Sequence, residues 1–241
     1  MNLTTRHPDV LTPPEFALSA GQLREFNTNG FMSVARLVEP DVLEKLRRYY
    51  DRFVLGEIEC GEDNDKLGGK IHQIMYPSKH ESYFLDNPVL AAGKRIGEQI
   101  LGREVGFIFD MLIDKPPQTL NETPWHQDYA YTQQPFAPAG TEMTGQSLQF
   151  WVALDDVDID NGCMQFIPGV HRQPLTEHYV ASGDPTAFRR LLAMRRVDAS
   201  LAVACPFGAG GCTIHDYGTP HYTGGNHTPD KSRRAYIFNI G

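Results

Sequence analysis

The chain of 241 residues lacks several things, and each absence removes a class of function. No run of about 18 apolar residues occurs, so the sequence offers no membrane-spanning helix. The opening residues, MNLTTRHPDVLTPPEF, lack the basic-then-apolar layout of a signal peptide. Four cysteines (Cys60, Cys163, Cys205 and Cys212) form no C-x-x-C pair. They are too sparse for a disulfide framework, and idle thiols in a reducing cytoplasm are expected. Basic residues are outnumbered 22 to 30, which gives a net charge of −8 and removes the cationic face a general nucleic-acid binder needs. The same deficit speaks against a polyphosphate tail such as coenzyme A as the main anchor of a ligand. Repeats, low-complexity tracts and interdomain linkers are missing too.

What is present reads as helices first and strands later. Ser19 followed by Gln22 fits a capping box, and the helix it opens ends at Asn29-Gly30. Residues 31–38 read as a strand. Pro40 opens a second helix with apolar residues at Val42, Leu43, Leu46, Tyr49, Tyr50 and Phe53. Residues 61–69 are polar and glycine-rich and read as a mobile loop. Asn87 and Gly102 bracket a further helix from Pro88. Beyond Gly102, short apolar runs at 105–113, 148–154, 164–167, 201–205, 212–215 and 235–240 alternate with turn residues. This predicts an all-β sandwich or barrel rather than βαβ units. A helical stretch is expected at 185–194.

The chemistry concentrates in Thr123-Pro-Trp-His126-Gln-Asp128. On an extended strand, residues two apart face the same side, so His126 and Asp128 form a two-point grip for a divalent metal. A third ligand must come from elsewhere among the nine histidines. His221 stands just past a strand near the C-terminus, with His215 as its competitor and Asp216 as a lesser one. His80 and His178 lie in polar, turn-rich surroundings. Two histidines and a carboxylate on one face are the facial triad of non-haem Fe(II) oxygenases. Arg233 follows at a dozen residues and can hold a carboxylate in its fork. Its neighbour Arg234 points to the opposite face of a strand, so only one of the two reaches a pocket. Asp156-Val-Asp158-Ile-Asp160-Asn-Gly162 superficially matches a calcium loop but fails at the glycine and glutamate positions. Gly208–Gly211 lacks the G-K-[ST] of a phosphate loop.

Ordered blocks of this sequence resemble the phytanoyl-CoA dioxygenase family of Fe(II)/2-oxoglutarate oxygenases. They are the start around Asn29-Gly30-Phe31, Met111-Leu-Ile-Asp-Lys-Pro-Pro, Trp-His126-Gln-Asp128, Trp151 through Gly162, Ile167-Pro-Gly-Val-His-Arg172, His221-Tyr-Thr223 and Arg233-Arg-Ala235. The resemblance implies a mainly β fold with flanking helices, a double-stranded β-helix or cupin-like jelly roll. It implies one oxygenase domain over 1–241, with a helical part at about 18–101 and a β-helix core at about 103–241. It implies His126, Asp128 and His221 as Fe(II) ligands. Arg233, helped by Thr223, would hold 2-oxoglutarate, with Lys70 and Trp151 as further co-substrate contacts. O2 is the oxidant, and a C–H bond of a small molecule is hydroxylated while 2-oxoglutarate becomes succinate and CO2.

The His221-to-Arg233 spacing is one residue longer than the family's, and Gly210-Gly211 stands where the family often has Asp. The Asp128 carboxylate speaks against halogenation. Desaturation, epoxidation and ring formation stay open as outcomes. A cupin-like metal enzyme without 2-oxoglutarate and a non-catalytic binding barrel are the other readings. His72, Gln73, Met111, Phe150 and Arg172 are candidates for the substrate wall, with His72 equally readable as a plain strand histidine. A small metabolite of a biosynthetic pathway is the expected substrate, with neither nucleic acid nor membrane as partner.

Overall fold

The computed structural model describes residues 3–13, 16–67, 70–133, 136–143, 145–181 and 191–241. In chain order the elements are β1 (Thr4–Thr5), α1 (Ala20–Asn29), β2 (Phe31–Val34), α2 (Pro40–Val54), β3 (Asn64–Leu67), β4 (Ile71–Met75), α3 (Pro77–His80), α4 (Pro88–Leu101), β5 (Phe107–Lys115), β6 (Thr123–His126), β7 (Leu148–Ala153), β8 (Met164–Phe166), β9 (His178–Val180), β10 (Leu192–Met194), β11 (Val203–Ala204), β12 (Cys212–Asp216), β13 (His221–Thr223) and β14 (Arg233–Ile240).

Two sheets face each other. The larger runs β2-β12-β7-β14-β5-β4-β3 and the smaller β1-β11-β8-β13-β6, with β9 and β10 as a separate antiparallel pair. Apart from β3-β4-β5 and β9-β10, the neighbours are strands distant in sequence, which is the jelly-roll pattern of a double-stranded β-helix. The larger sheet is buried on both faces. One face packs on the helices through Ile74, Leu112, Phe150, Val152, Tyr236 and Phe238, with Leu46, Phe53, Phe84 and Ile96 opposite. The other packs on the smaller sheet through Phe31, Ile113, Trp151, Ala235 and Ile237, meeting Met164 and Phe166. A strand covered on both sides is buried at every position, which explains why β7 is apolar except at Gln149, whose amide is used at the site.

The helix signals hold. Ser19 and Gln22 exchange both capping-box bonds, and Asn87 accepts from Leu90 N–H at 2.9 Å. Gly93 and Gly97 let α4 lie close on β14, because a Cβ at either would collide with Phe238 or Ile240.

Three expectations change. The strand read at 31–38 stops at Val34, and the N–H groups of Leu37 and Val38 both turn to the Gly210 carbonyl. The expected mobile loop at 61–69, of which 68 and 69 lie outside the described residues, contains β3, an edge strand paired with β4 alone among the described strands. Edge strands carry polar residues such as Asn64, Asp65 and Lys66, which hides them from an apolar pattern. The helix read at 185–194 largely falls outside the described residues, and its end, Leu192–Met194, is a strand paired with β9. All four cysteines are buried and none is in a disulfide. No helix among the described residues is long and apolar enough to cross a membrane.

Candidate metal and co-substrate site

β6 and β13 pair so that His126 and His221 are direct cross-strand partners. Gln127 keeps an extended backbone after β6, so Asp128 returns to the side of His126 although it already opens a 3-10 turn. His126 Nε2 lies 3.7 Å and His221 Nε2 3.6 Å from Asp128 Oδ1. The donor atoms of the three residues all fall within 4.8 Å of one another.

Hydrogen bonds fix which nitrogen is free. His126 Nδ1–H donates to the Pro124 carbonyl at 2.7 Å, and His221 Nδ1–H to the Thr219 carbonyl at 3.0 Å. Each bond reaches back two residues and leaves the Nε2 lone pair aimed at the triad. Burial pushes both imidazoles below their usual range, His221 furthest, so both stay neutral and able to ligate. Burial alone would raise the Asp128 carboxyl. The surrounding His221, His215 and His126 outweigh it and hold Asp128 well below the carboxylate range. Asp128 Oδ2 accepts from Gln149 Nε2 at 2.7 Å and from His215 Nε2 at 3.0 Å. His215 is thus a partner of the carboxylate, and Oδ1 is left for a cation. Two neutral imidazoles and one ionised carboxylate oxygen form a donor set that fits Fe(II).

These donors open onto a cavity of about 910 Å³. Arg233 and Trp151 lie on its larger-sheet wall, and Thr223 faces them from the smaller sheet. The Arg233 side chain is 1% exposed, its Nε, Nη1 and Nη2 have no partner, and its guanidinium carbon sits 5.2 Å above the Trp151 ring. A buried guanidinium with all donors unused fits a carboxylate-bearing ligand. Arg234, on the opposite face, is engaged by Asp155 at 2.8 and 2.9 Å. It is thereby removed as the pocket arginine.

Of the candidate wall residues, Gln73 and Met111 line the cavity. The others do not. Phe150 points into the helix-side core and stacks on Phe238 at 4.8 Å, because β7 turns Gln149 and Trp151 inward and Phe150 outward. His72 pairs with Asp114, whose carboxylate meets Tyr50 of α2, and so shares that outer face. Arg172 donates to Asn27 at 2.9 Å on the exterior. Lys70 is exposed and lines no part of the cavity. His178 is buried in β9, where its Nε2 accepts from Gln127 N–H at 3.1 Å.

The sequence reading missed Lys115, Gln149 and Asn239. Each stands an even number of residues from an inward neighbour (Met111, Trp151, Arg233 or Ile237), and that period was the available signal. The apparent calcium loop is a turn tied by Asp158 and Asn161, with Gly162 at φ 85° against Gly224.

Comparison with known proteins agrees with this geometry. The family model for phytanoyl-CoA dioxygenase (PhyH) matches residues 26–235. Phytanoyl-CoA dioxygenase domain-containing protein 1 of Rattus norvegicus is 30% identical over 206 residues, 82% of this chain and 65% of that protein. The peroxisomal phytanoyl-CoA dioxygenase of Mus musculus is 26% identical over 179 residues, 67% of this chain and 50% of that one. The chain therefore spans about half the length of such curated relatives. EvdO2 from Micromonospora carbonacea var. aurantiaca, solved with 2-oxoglutarate, superposes with a TM-score of 0.76 at 29% identity, over 93% of this chain and 91% of its own. EctD from S. alaskensis, at 19% identity and a TM-score of 0.68 over 93% and 76%, shares the fold. With 210 consecutive residues matched and the His-Asp-His donors in place, the chain belongs to the phytanoyl-CoA dioxygenase family.

Proposed function

We propose that the protein is an Fe(II)- and 2-oxoglutarate-dependent dioxygenase that hydroxylates a C–H bond of a small-molecule metabolite. His126, Asp128 and His221 would hold the metal, and Arg233 with Thr223 and Trp151 the co-substrate. The observation that carries this reading is the buried, unpartnered Arg233 guanidinium in the same cavity as the donor triad. It favours a dicarboxylate co-substrate over a cupin-like enzyme that needs none. When bound, iron with 2-oxoglutarate and O2 supplies the oxidising power for C–H cleavage, and the co-substrate leaves as succinate and CO2.

The chain's own residues do the positioning. The Nδ1–H bonds of His126 and His221 keep both rings in one tautomer and orientation. Gln149 and His215 hold Asp128 so that one oxygen faces the histidines. Trp151 roofs the Arg233 fork and keeps its field undiluted by water. Met75, Met111 and Ile237 give the cavity a dry wall, while Gln73 and Asn239 offer it uncharged hydrogen-bonding groups. Lys79 and Arg233 are the cations among the described lining residues, too few for the phosphates of an acyl-CoA. Buried cysteines outside any disulfide suit a reducing cytoplasm.

Anaerobic titration of the apoprotein with Fe(II) and then 2-oxoglutarate tests the reading. The weak visible band of a keto acid chelated to Fe(II) is expected, and Asp128→Ala and Arg233→Ala should each diminish it. Iron binding without the band would favour the cupin-like enzyme. Failure to bind any metal would leave a binding barrel.

A further inference from the structure

β5 and β14 pair so that Lys115 and Arg233 are direct cross-strand partners. Both are buried, at 0% and 1% exposure. Two like charges directly opposite on a sheet repel, and burial removes the water that would screen them. Among the described residues no carboxylate hydrogen-bonds or ion-pairs with either cation, although Asp114, Asp155 and Glu122 lie near enough to attract them. Asp114, next to Lys115, faces Tyr50 on the other side of the sheet. Asp155 is taken by Arg234, and Glu122 accepts from the Tyr222 hydroxyl at 2.7 Å. Two buried cations, one with its whole fork unused and neither bound to a carboxylate, suit an anion from outside.

Lys115 cannot be the group that touches that anion. Its Nζ donates to Thr223 Oγ1 at 2.8 Å, to the Thr223 carbonyl at 3.2 Å and to the Gly224 carbonyl at 2.7 Å. Those three oxygens use the three hydrogens of an ammonium. Thr223 Oγ1 is thereby occupied as an acceptor, and its own hydrogen is left to donate into the cavity beside Arg233. From this geometry we propose that Lys115 is the positioning residue for the distal carboxylate of the co-substrate, aiming the Thr223 hydroxyl at it and adding a second positive charge behind Arg233. This rests on the 2-oxoglutarate reading above. Burial and the Arg233 charge push the Lys115 amine down to about 6. The groups facing it are Arg233 from β14, Thr223 and Gly224 at the end of β13, and Glu122 ahead of β6. Arrival of a carboxylate favours the ammonium, so binding above that pH draws a proton from solvent.

The test is calorimetric titration of the Mn(II)-loaded protein with 2-oxoglutarate and with oxalate, which chelates the metal but has no distal carboxylate. Two buffers of different ionisation enthalpy report proton uptake. Lys115→Met and Thr223→Val should each weaken 2-oxoglutarate about tenfold or more, the size of a charge-assisted hydrogen bond. The double variant should lose less than the product of the single losses, because both remove one donor chain. Oxalate affinity should stay at the wild-type value, Thr223→Ser should restore 2-oxoglutarate binding, and proton uptake should vanish in Lys115→Met. Wild-type affinity and proton uptake in Lys115→Met, or a parallel loss of oxalate, overturns the role of Lys115 alone. A wild-type protein that binds oxalate and not 2-oxoglutarate overturns the co-substrate reading along with it.

Discussion

His215 Nε2 lies 3.0 Å from Asp128 Oδ2, while Oδ1 of the same carboxylate faces the two triad histidines. His215 Nδ1 is buried without a partner, so Nε2 is the nitrogen that carries the hydrogen and donates it. One carboxylate is therefore divided: one oxygen is anchored by the protein, the other is free to ligate. His215→Ala and Gln149→Ala should each weaken Mn(II) binding roughly 10- to 100-fold, the range for losing a ligand's hydrogen-bond partner. Titration calorimetry measures this. Unchanged metal affinity in both variants would show that Asp128 orients itself.

The two adjacent arginines should separate cleanly. Arg233→Met should abolish measurable 2-oxoglutarate binding, a loss of at least about 2 kcal/mol for a buried charge partner. It should also raise the melting temperature of the ligand-free protein, because an unpaired buried cation is removed. Arg234→Ala breaks a part-buried, two-pronged pair with Asp155 and an exposed one with Asp51 and should cost about 1 to 3 kcal/mol of stability. Its 2-oxoglutarate affinity should match the wild type. The reverse ranking by thermal melts and calorimetry would reassign the pocket arginine.

Asp110 gives a pH-dependent stability. Burial raises its carboxyl from 3.8 to about 6, against the hydrogen bonds from Ser78. A carboxyl with a raised folded-state pKa binds its proton more tightly when folded. Its favourable contribution is therefore full below the unfolded value and is lost as pH rises through about 6. Asp110→Asn should gain on the wild type between pH 4 and pH 7 by up to about 3 kcal/mol. Denaturant unfolding at a series of pH values reads the difference, and a gap that does not change with pH would contradict it.

Gly162 is the third stability site. Its φ of 85° and the nearness of the Gly224 carbonyl oxygen leave no room for a Cβ. Gly162→Ala should cost more than about 1 kcal/mol. It should also weaken 2-oxoglutarate binding in the folded fraction, because Gly224 accepts from Lys115 and follows Thr223. Loss of stability with full ligand affinity would separate the turn from the site.

Phe150 and Gln149 show how far the sequence could be read. Both lie in β7, a strand buried at every position, and such a strand does not say which face meets helices and which meets the cavity. The sequence therefore admits Phe150 to the substrate wall and gives Gln149 no mark. Where one face is marked by chemistry, as in Trp-His126-Gln-Asp128, period two was enough to place the side chains. The capping box at Ser19 and the Asn87 and Gly102 caps were legible for the same reason, since each is a local hydrogen-bonding requirement. The edge strand β3 was not, because pairing on one side tolerates a polar sequence.

The sequence by itself determined the fold class, the family and the His126–Asp128 grip, because caps, alternation and short spacings are local physics. Tertiary structure decided that His221 joins the grip while His215 braces Asp128, that Arg233 and not Arg234 faces the cavity, and that Lys115 lies behind Thr223. Those choices depend on which distant strands become neighbours and in what register. Strand order and register minimise buried unpaired polar groups over the whole sheet, a sum that no short stretch of sequence contains.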